Sequence, residues 1–318
     1  MKWILKAIVQ KTISYLPLSN KINYFFQKYV TKGVLLSDEY YFSRLKLAKA
    51  HIEAYFENAQ AIPKSCLELG TGWYPIVPIS FFLVGVEKIY SVDISFLTSK
   101  DRIKTTIEKF IETRNSGILK NYIAVEEIKW RVLVSILENY ETLTLENILN
   151  QLQLTYLIED ARALSLPDNS IDLVNSNNTF EHIYPEILIP ILKDFKRVLK
   201  KGHGVQSHFI DMTDHFAHFD KTINIYNFLK FSPAQWKLID NNVQPQNRMR
   251  IDDYKKIYAD LNISIDSENF RVGRSEELKT IHLSEPFKSK LLEINAISHC
   301  HFISHSFSSN NVANLPMT

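Results

Sequence analysis

Histidine and aspartate are concentrated in one short stretch of the chain, "SHFIDMTDHFAHFD", at positions 207–220. A carboxylate beside an imidazole stabilises the imidazolium, which raises its pKa and makes the histidine an effective proton acceptor. We therefore predict catalytic roles for His208, Asp211 and His215, and substrate contacts for Asp214 and His218. The alternatives are a solvated loop with structural hydrogen bonds, or a divalent metal ion bound by the same side chains. Because the spacing matches no closed zinc pattern, we assign no metal.

A further histidine stands alone in "TFEHIY", just past a predicted strand. His182 is a candidate proton acceptor, and the alternative is that it lines a ligand pocket without taking a proton.

Two arginines in "QNRMRIDDY" are candidate anion ligands. The planar guanidinium groups of Arg248 and Arg250 suit bidentate binding of a carboxylate or phosphate on a substrate. The alternative is that they pair locally with Asp252 or Asp253.

A second group of chemically suited residues begins in "CLELGTGWYPIVPIS", residues 66–80. Gly70 and Gly72 follow a short apolar run, where glycine permits a sharp turn and close approach of the backbone to a ligand. Asp93 lies 23 positions after Gly70, the spacing at which a carboxylate can bind both hydroxyls of a ribose. Asp160 follows "TYLIE" and can accept a bond from an adenine amino group, while Ala161 leaves room for the ring. Together these residues predict an adenosine site.

The elements that must position these groups alternate between strands and helices. The runs "SCLELG", "KIYSVDIS", "TYLIED", "SIDLVNSNN" and "GHGVQSHFI" predict parallel strands, and ligands bind at the carboxyl ends of such strands. Two later runs, "ISIDSENFRV" and "AISHCHFISHSF", predict further strands. We expect a helical cap over 1–60, a main domain over 61–308 and a frayed tail over 309–318. Within the main domain we expect a helical insertion over 99–153 and an acceptor-site segment over 211–250.

Several motifs in order resemble those of the class I S-adenosylmethionine-dependent methyltransferases: "LELGTG", "SVDIS", "EDARALSLPDNSIDLVNSNNTFEHI" and "FKRVLKKGHG". The resemblance covers roughly residues 60–210. It implies an α/β fold with a Rossmann-like seven-stranded, mostly parallel sheet flanked by helices, and S-adenosylmethionine as cofactor. It also implies that Glu68 orients the methionine amino group and that Asn177 and Asn178 lie near the sulfonium. The predicted cofactor-binding residues are Glu68, Gly70, Thr71, Gly72, Asp93, Ile94, Asp160, Ala161, Asn177 and Asn178.

A dinucleotide is the rival cofactor for such a sheet, but the turn disfavours it. A dinucleotide fingerprint needs small residues where the pyrophosphate meets the helix N-terminus, whereas Tyr74 and Pro75 occupy that region here. A methionine tail carries no phosphate and tolerates the bulk. Trp73 and Tyr74 are predicted to form an apolar wall of the substrate site, with ordinary packing as the alternative.

Composition narrows the partners and the compartment. With 37 basic and 35 acidic residues, the net charge of +2 provides no electropositive field for nucleic acid. Two cysteines, Cys66 and Cys300, indicate a reducing compartment, and we expect a cytoplasmic protein. The N-terminal amphipathic pattern is interrupted by Lys6 and Lys11, unlike a signal peptide, and predicts packing on the parent domain, with a membrane surface as the alternative.

The combined prediction is methyl transfer by in-line displacement to oxygen or nitrogen of a small polar acceptor bearing a carboxylate, phosphate or sugar. The 211–250 segment also resembles one in bacterial methyltransferases associated with polysaccharide or small-molecule pathways. Two alternatives stay open. One is transfer of another portion of S-adenosylmethionine, such as aminocarboxypropyl, and the other is a catalytically silent cofactor-binding scaffold.

Overall fold

The computed structural model describes residues 2–15 and 35–306. Its N-terminal part contains α1 (Lys2–Ser14) and α2 (Asp38–Ala59). Helix α2 begins where the Ser37 hydroxyl accepts a hydrogen bond from the Tyr40 amide, and it ends at Gln60, which has a left-handed φ of 52°. The helices expected over 1–60 are present in the described ranges, and residues 16–34 lie outside them.

Seven strands form one sheet in the order β3-β2-β1-β4-β5-β7-β6. The strands are β1 (Ser65–Leu69), β2 (Lys88–Asp93), β3 (Leu154–Ile158), β4 (Leu173–Asn177), β5 (Val205–Asp211), β6 (Ser267–Val272) and β7 (Ile297–His305). The first five run parallel, and β7 is antiparallel to both β5 and β6. This confirms the predicted seven-stranded, mostly parallel sheet.

Helices cover both faces of the sheet. They are α3 (Ile76–Leu83), α4 (Lys100–Asn115), α5 (Glu127–Glu138), α6 (Leu145–Gln151), α7 (Pro185–Val198), α8 (Phe216–Phe219), α9 (Pro233–Ile239), α10 (Ile251–Asp260), α11 (Ser275–Lys279), α12 (Glu285–Lys288) and α13 (Leu292–Ala296). Three of them, α4 to α6, lie between β2 and β3, where the sequence predicts a helical insertion. The segment over 211–250 is less regular and contains the short helices α8 and α9.

Two hydrophobic layers hold the sheet between its helices. On one face, α2 buries Tyr41 and Leu45 against the core that contains Phe81 of α3. On the other face, Phe195 of α7 and Phe302 of β7 are fully buried. Each such side chain contributes roughly 1.5–3 kcal/mol when it leaves water. This packing holds the carboxyl ends of β1, β2, β4 and β5 along one edge.

Helix α1 packs on the 211–250 segment through its apolar face. Trp3 lies 5.8 Å from Phe216 between ring centroids, and its amide donates to Asp220 Oδ2 at 3.0 Å. Lys11 Nζ donates to the main-chain carbonyl of Asp240 at 2.6 Å. These contacts are the packing on the parent domain that the amphipathic pattern predicts. None of the helices in 2–15 and 35–306 combines the length and the apolar character needed to cross a bilayer.

Candidate functional site

The glycine turn after β1 leaves open space beside the backbone. Gly70 and Gly72 have φ values of 76° and 74°, in the left-handed region that favours glycine. A Cβ on Gly70 would lie 2.7 Å from the Thr179 hydroxyl oxygen, so no side chain fits there. A Cβ on Gly72 would meet no described atom within 4 Å. Gly70 therefore maintains the packing of the turn, whereas Gly72 borders space that a ligand can fill.

Glu68 lies beneath this turn and is almost fully buried. Its carboxylate accepts hydrogen bonds from the Thr71 hydroxyl at 2.7 Å and from Asn177 Nδ2 at 3.0 Å. Burial raises the pKa of Glu68, and the two hydrogen bonds oppose that shift. The carboxylate lines a narrow cleft together with Arg44, Gly70, Thr71, Tyr74, Val77 and Asn177.

Arg44 of α2 reaches this cleft, and the sequence did not single it out. Its Nη1 donates to the Asn177 carbonyl at 3.4 Å, and its guanidinium lies 4.8 Å from the Tyr40 ring centroid. Its Nε is buried without a hydrogen-bond partner among the described residues. Helical periodicity indicates that residue 44 is on a helix, but only the fold shows that this helix packs over the β1 turn.

A buried polar chain connects Asn177 to α2 and to the sheet. His51 Nε2 lies 2.9 Å from Asn177 Oδ1, and His51 Nδ1 lies 2.7 Å from the Ser207 hydroxyl. Burial lowers the pKa of His51 to about 3, so its ring is neutral. Because Asn177 Nδ2 donates to Glu68, its Oδ1 must accept from His51 Nε2–H, and the Ser207 hydroxyl then donates to His51 Nδ1. This series of hydrogen bonds holds the Asn177 side-chain amide in one orientation.

The predicted ribose and adenine ligands lie at the ends of β2 and β3. Asp93 is the last residue of β2; burial raises its pKa, and its Oδ1 accepts from the Ser95 amide at 3.3 Å. Ile94 is 83% exposed. The Asp160 carboxylate is held by Arg162 through Nε at 2.8 Å and Nη2 at 2.5 Å, which lowers its pKa. An adenine amino group would share that carboxylate with Arg162.

Ala161 and Asn178 complete the predicted cofactor residues. Ala161 is buried in the core beside the sheet edge. Asn178 directly follows β4 with a left-handed φ of 52°, and its amide donates to the Phe209 carbonyl at 2.9 Å. Its Oδ1 is buried and has no partner within the described part of the chain. The cofactor roles of both residues stay predictions.

A second polar group lies next to the first, at the carboxyl ends of β4 and β5. Asp211 ends β5, with Oδ2 3.5 Å from His215 Nε2 and Oδ1 3.6 Å from His299 Nε2. Burial favours the neutral acid, but His215, His299 and the amide of Thr213 outweigh it and hold the pKa of Asp211 below its usual value. Asp211 is thus a buried carboxylate that faces two imidazoles.

His182 lies in the short 3-10 turn Phe180–His182 and faces His215, with ring centroids 4.9 Å apart. Its Nδ1 is 2.6 Å from the Pro245 carbonyl and must carry the proton that this bond needs. Burial, together with His215, lowers the pKa of His182 to about 4, so the ring is neutral.

Glu181 precedes His182 and was not predicted as a site residue. Its side chain is 2% exposed, and neither carboxylate oxygen has a hydrogen-bond partner among the described residues. Burial, followed by the charge of Asp211, raises the pKa of Glu181 well above its usual value. The sequence signal was its position beside His182, but only the fold brings it next to His215.

The structure corrects the prediction for His208. This residue is fully buried within β5, its ring 4.5 Å from that of Phe180 and 5.9 Å from that of Phe195. Its Nδ1 lies 2.8 Å from the Ser176 hydroxyl, and burial holds its pKa well below the usual range. Side chains within a strand point to the faces of the sheet, so His208 faces the helix layer rather than the ligand edge.

The predicted substrate contacts of Asp214, Arg248 and Arg250 are corrected as well. Asp214 is buried and accepts from the Phe216 amide at 2.8 Å and from Asn227 Nδ2 at 2.9 Å, which places it at the start of α8. Arg248 Nη1 donates to main-chain carbonyls at 2.9 and 2.7 Å.

Arg250 is fully buried and donates to the carbonyls of Met212 at 2.6 Å, Asn295 at 2.9 Å and Ile297. The Arg250 amide donates to Asp253 Oδ2 at 2.8 Å, whereas its guanidinium bonds the main-chain carbonyls and Lys290 pairs with the carboxylates of Asp252 and Asp253. Both arginines stabilise the 211–250 segment instead of facing a ligand.

The remaining predicted substrate residues lie around the two polar groups. Tyr74 lines the cleft with Glu68, and the Trp73 ring centroid lies 4.6 Å from the Arg102 guanidinium. His218 is exposed, with its ring 5.4 Å from that of His215 and its Nε2 3.2 Å from the Thr213 hydroxyl. Their substrate contacts stay predictions.

Residues 134–204 match the family model described as a methyltransferase domain. Solved structures that match this chain include a protein from Pyrococcus horikoshii, with 14% identity, a TM-score of 0.46 and coverage of 88% of this chain and 98% of that chain. Another is geranyl diphosphate methyltransferase in complex with S-adenosylmethionine, with 10% identity, a TM-score of 0.44 and coverage of 85% and 91%. A third is phosphoethanolamine N-methyltransferase 2 from Haemonchus contortus in complex with S-adenosylmethionine, with 12% identity, a TM-score of 0.44 and coverage of 89% and 60%. No curated protein matches the sequence.

The family match covers α6, β3, β4 and α7, and β3 and β4 belong to the seven-stranded, mostly parallel sheet that the motifs predict. Over residues 134–204 the chain is therefore similar to methyltransferase domains, the class of protein that the motifs predict.

Proposed function

We propose that the protein is an S-adenosylmethionine-dependent methyltransferase, and that it modifies an oxygen or nitrogen atom of a small polar acceptor bound where β4 and β5 end. One observation carries the proposal. The cleft that contains Glu68 and the group formed by His182, Asp211 and His215 lie at neighbouring strand ends of one sheet edge. A cofactor in the first would have its reactive part close to an acceptor in the second.

The cleft has the donors and acceptors that S-adenosylmethionine needs. Glu68 is placed to bind the methionine amino group, and Asp93 to bind the ribose hydroxyls. The side chain of Arg44 is partly buried, its Nε has no hydrogen-bond partner among the described residues, and its positive charge suits the methionine carboxylate. When bound, the cofactor supplies an electrophilic methyl group on its sulfonium.

We assign removal of the acceptor's proton to the group formed by His182, Asp211 and His215. His215 Nε2 lies 3.5 Å from Asp211 Oδ2, so the carboxylate is close enough to orient the imidazole ring. His182 is less suited as a base, because its pKa of about 4 makes it a weak proton acceptor at neutral pH. We therefore assign proton acceptance to His215, its orientation to Asp211, and acceptor contacts to His182.

The surroundings of His215 favour an uncharged, hydroxyl-bearing acceptor such as a sugar. A narrow hollow beside His215 is lined by the amide residues Gln10, Asn241, Gln244 and Gln246, and also by Phe216, Trp236 and Asp240. Amides bind hydroxyl groups as donors and as acceptors. Arg248 and Arg250, which were predicted to bind a carboxylate or phosphate, donate to main-chain carbonyls instead. They are therefore not available as ligands for an anionic acceptor.

The test is turnover with a panel of sugars and other small polyols in the presence of trideuteromethyl-labelled cofactor. We expect formation of S-adenosylhomocysteine and a product heavier by one labelled methyl group, whereas a product carrying an aminocarboxypropyl group would contradict methyl transfer. His215→Asn should lower turnover by about 10²–10⁴-fold at unchanged cofactor affinity.

The matched control is His282→Asn, at an exposed histidine outside the site, which should retain wild-type turnover. Wild-type turnover in His215→Asn would refute the proton-acceptor role. Turnover with anionic acceptors alone would refute the hydroxyl-bearing class.

A further inference from the structure

Three side chains near the carboxyl ends of β4 and β5 lie close enough together to bind one metal ion. One potential ligand atom from each of Glu181, His182 and His215 lies within 4.8 Å of the other two. They come from two separate parts of the chain, the turn after β4 and the segment after β5. The histidine and aspartate spacing in the sequence did not reveal this set, because Glu181 and His182 lie outside the histidine-rich stretch.

The hydrogen bond of His182 leaves one ring nitrogen free for a metal. Its Nδ1–H donates to the Pro245 carbonyl at 2.6 Å, so Nε2 carries the lone pair. Metal-binding histidines commonly donate their second ring N–H to a backbone carbonyl in this way, which fixes the tautomer and the ring orientation.

Glu181 supplies an independent observation. Its carboxylate is almost fully buried, and neither oxygen has a hydrogen-bond partner among the described residues. A buried, unpartnered carboxylate costs free energy that a bound cation would offset. His215 Nε2 is likewise buried without a hydrogen bond in the described structure, although Asp211 Oδ2 is 3.5 Å away.

We propose that Glu181, His182 and His215 bind one divalent first-row transition-metal ion, such as Mn²⁺ or Co²⁺. Two imidazoles and one carboxylate suit such ions, whereas Mg²⁺ prefers oxygen ligands alone. Three protein ligands leave coordination positions open for water or for an acceptor oxygen. Asp211, beside His215 and His299, adds negative charge next to the cation.

The proposal goes beyond methyl transfer and does not depend on it. A metal-bound His215 would not be free to take a proton, because its lone pair would be used in coordination. The metal-loaded protein would then rely on the cation to acidify a bound hydroxyl.

The test measures metal binding directly. Protein stripped with a chelator is titrated with MnCl₂ by calorimetry, and the Co²⁺-loaded protein is examined by visible absorption for its ligand-field bands. We expect one equivalent of Mn²⁺ on the wild-type chain and at least a tenfold loss of affinity in Glu181→Gln and His182→Ala. The matched controls are Glu186→Gln and His282→Ala, at residues outside the site, which should bind like the wild type.

Thermal unfolding separates ligand loss from misfolding. Glu181→Gln keeps the size of a buried side chain whose oxygens have no hydrogen-bond partner among the described residues, so without metal its melting temperature should stay close to that of the wild type. Added Mn²⁺ should raise the melting temperature of the wild type but not of this variant. If His182→Ala does not fold, His215→Ala replaces it. Absence of Mn²⁺ and Co²⁺ binding to the wild type in the millimolar range would overturn the proposal, as would wild-type affinity in Glu181→Gln.

Discussion

The ribose assignment of Asp93 gives the sharpest quantitative prediction. The residue is at the carboxyl end of β2, and its carboxylate accepts a hydrogen bond of 3.3 Å from the Ser95 amide. Two ribose hydroxyls donating to this carboxylate would form two charge-assisted hydrogen bonds, each contributing about 1.5–3 kcal/mol. Asp93→Ala loses both, and a net loss of about 3.5 kcal/mol corresponds to a roughly 300-fold weaker affinity.

Asp93→Asn should have a smaller effect. The amide keeps one oxygen acceptor but loses the negative charge, so we expect a loss of about 2 kcal/mol, or roughly 30-fold in affinity. Because burial raises the pKa of Asp93, the ionised carboxylate is disfavoured in the folded protein, and Asp93→Asn should not lower the melting temperature.

The assay is calorimetric titration of each variant with S-adenosylhomocysteine, followed by repeats at decreasing pH. The raised pKa means that the wild-type carboxylate takes up a proton at a higher pH than an ordinary aspartate. Wild-type affinity should therefore fall as the pH drops through that raised pKa, and the affinity of Asp93→Asn should not follow this profile. Glu87→Gln, an exposed acid just before the same strand, is the control. Unchanged affinity in Asp93→Ala would refute the assignment.

The remaining predictions concern the turn and the core arginine. Gly70→Ala should lower the free energy of unfolding by about 1–3 kcal/mol, because its Cβ would clash with Thr179 at a left-handed φ, and thermal unfolding measures this. Gly72→Ala should be less destabilising and should weaken cofactor binding in calorimetry; the reverse order of stabilities would contradict the packing argument. Arg250→Met should lower the free energy of unfolding by about 3 kcal/mol or more in denaturant titrations, because it leaves three main-chain carbonyls without their donor. A variant as stable as the wild type would refute the structural role of Arg250.

Helix α2 contributes side chains to the cleft that contains Glu68 and to the hydrogen bonds around it. Arg44 lines the cleft, and His51 holds the Asn177 amide through a 2.9 Å hydrogen bond. The predicted boundary at residue 60 separates the chain by element type, whereas the buried contacts join α2 to the strands that end at the site. Any truncation that removes α2 would remove side chains from the cleft itself.

Local sequence information determined the fold and the edge of the sheet at which the predicted cofactor residues lie. The alternating strand and helix patterns predict the parallel sheet, and its carboxyl ends bring Glu68, Asp93 and Asn177 to one edge whatever the side-chain details. The two glycines of the turn were also accessible to sequence reasoning, since a left-handed turn between strand and helix requires them. These features depend on short-range backbone preferences and on the general geometry of α/β sheets.

Only the tertiary structure decided which polar residues face a ligand. His208 and Arg250 are residue types that often occur in functional sites, but both are buried here. The His208 side chain points to a face of the sheet because of its position in the strand, and the Arg250 side chain donates to buried carbonyls that need a hydrogen-bond donor. Arg44 and Glu181 carry no motif that marks them for this role, and packing brings the first to the cleft and the second beside His215. Contacts between residues far apart in sequence depend on how the helices pack on the sheet. Local sequence patterns do not specify that packing.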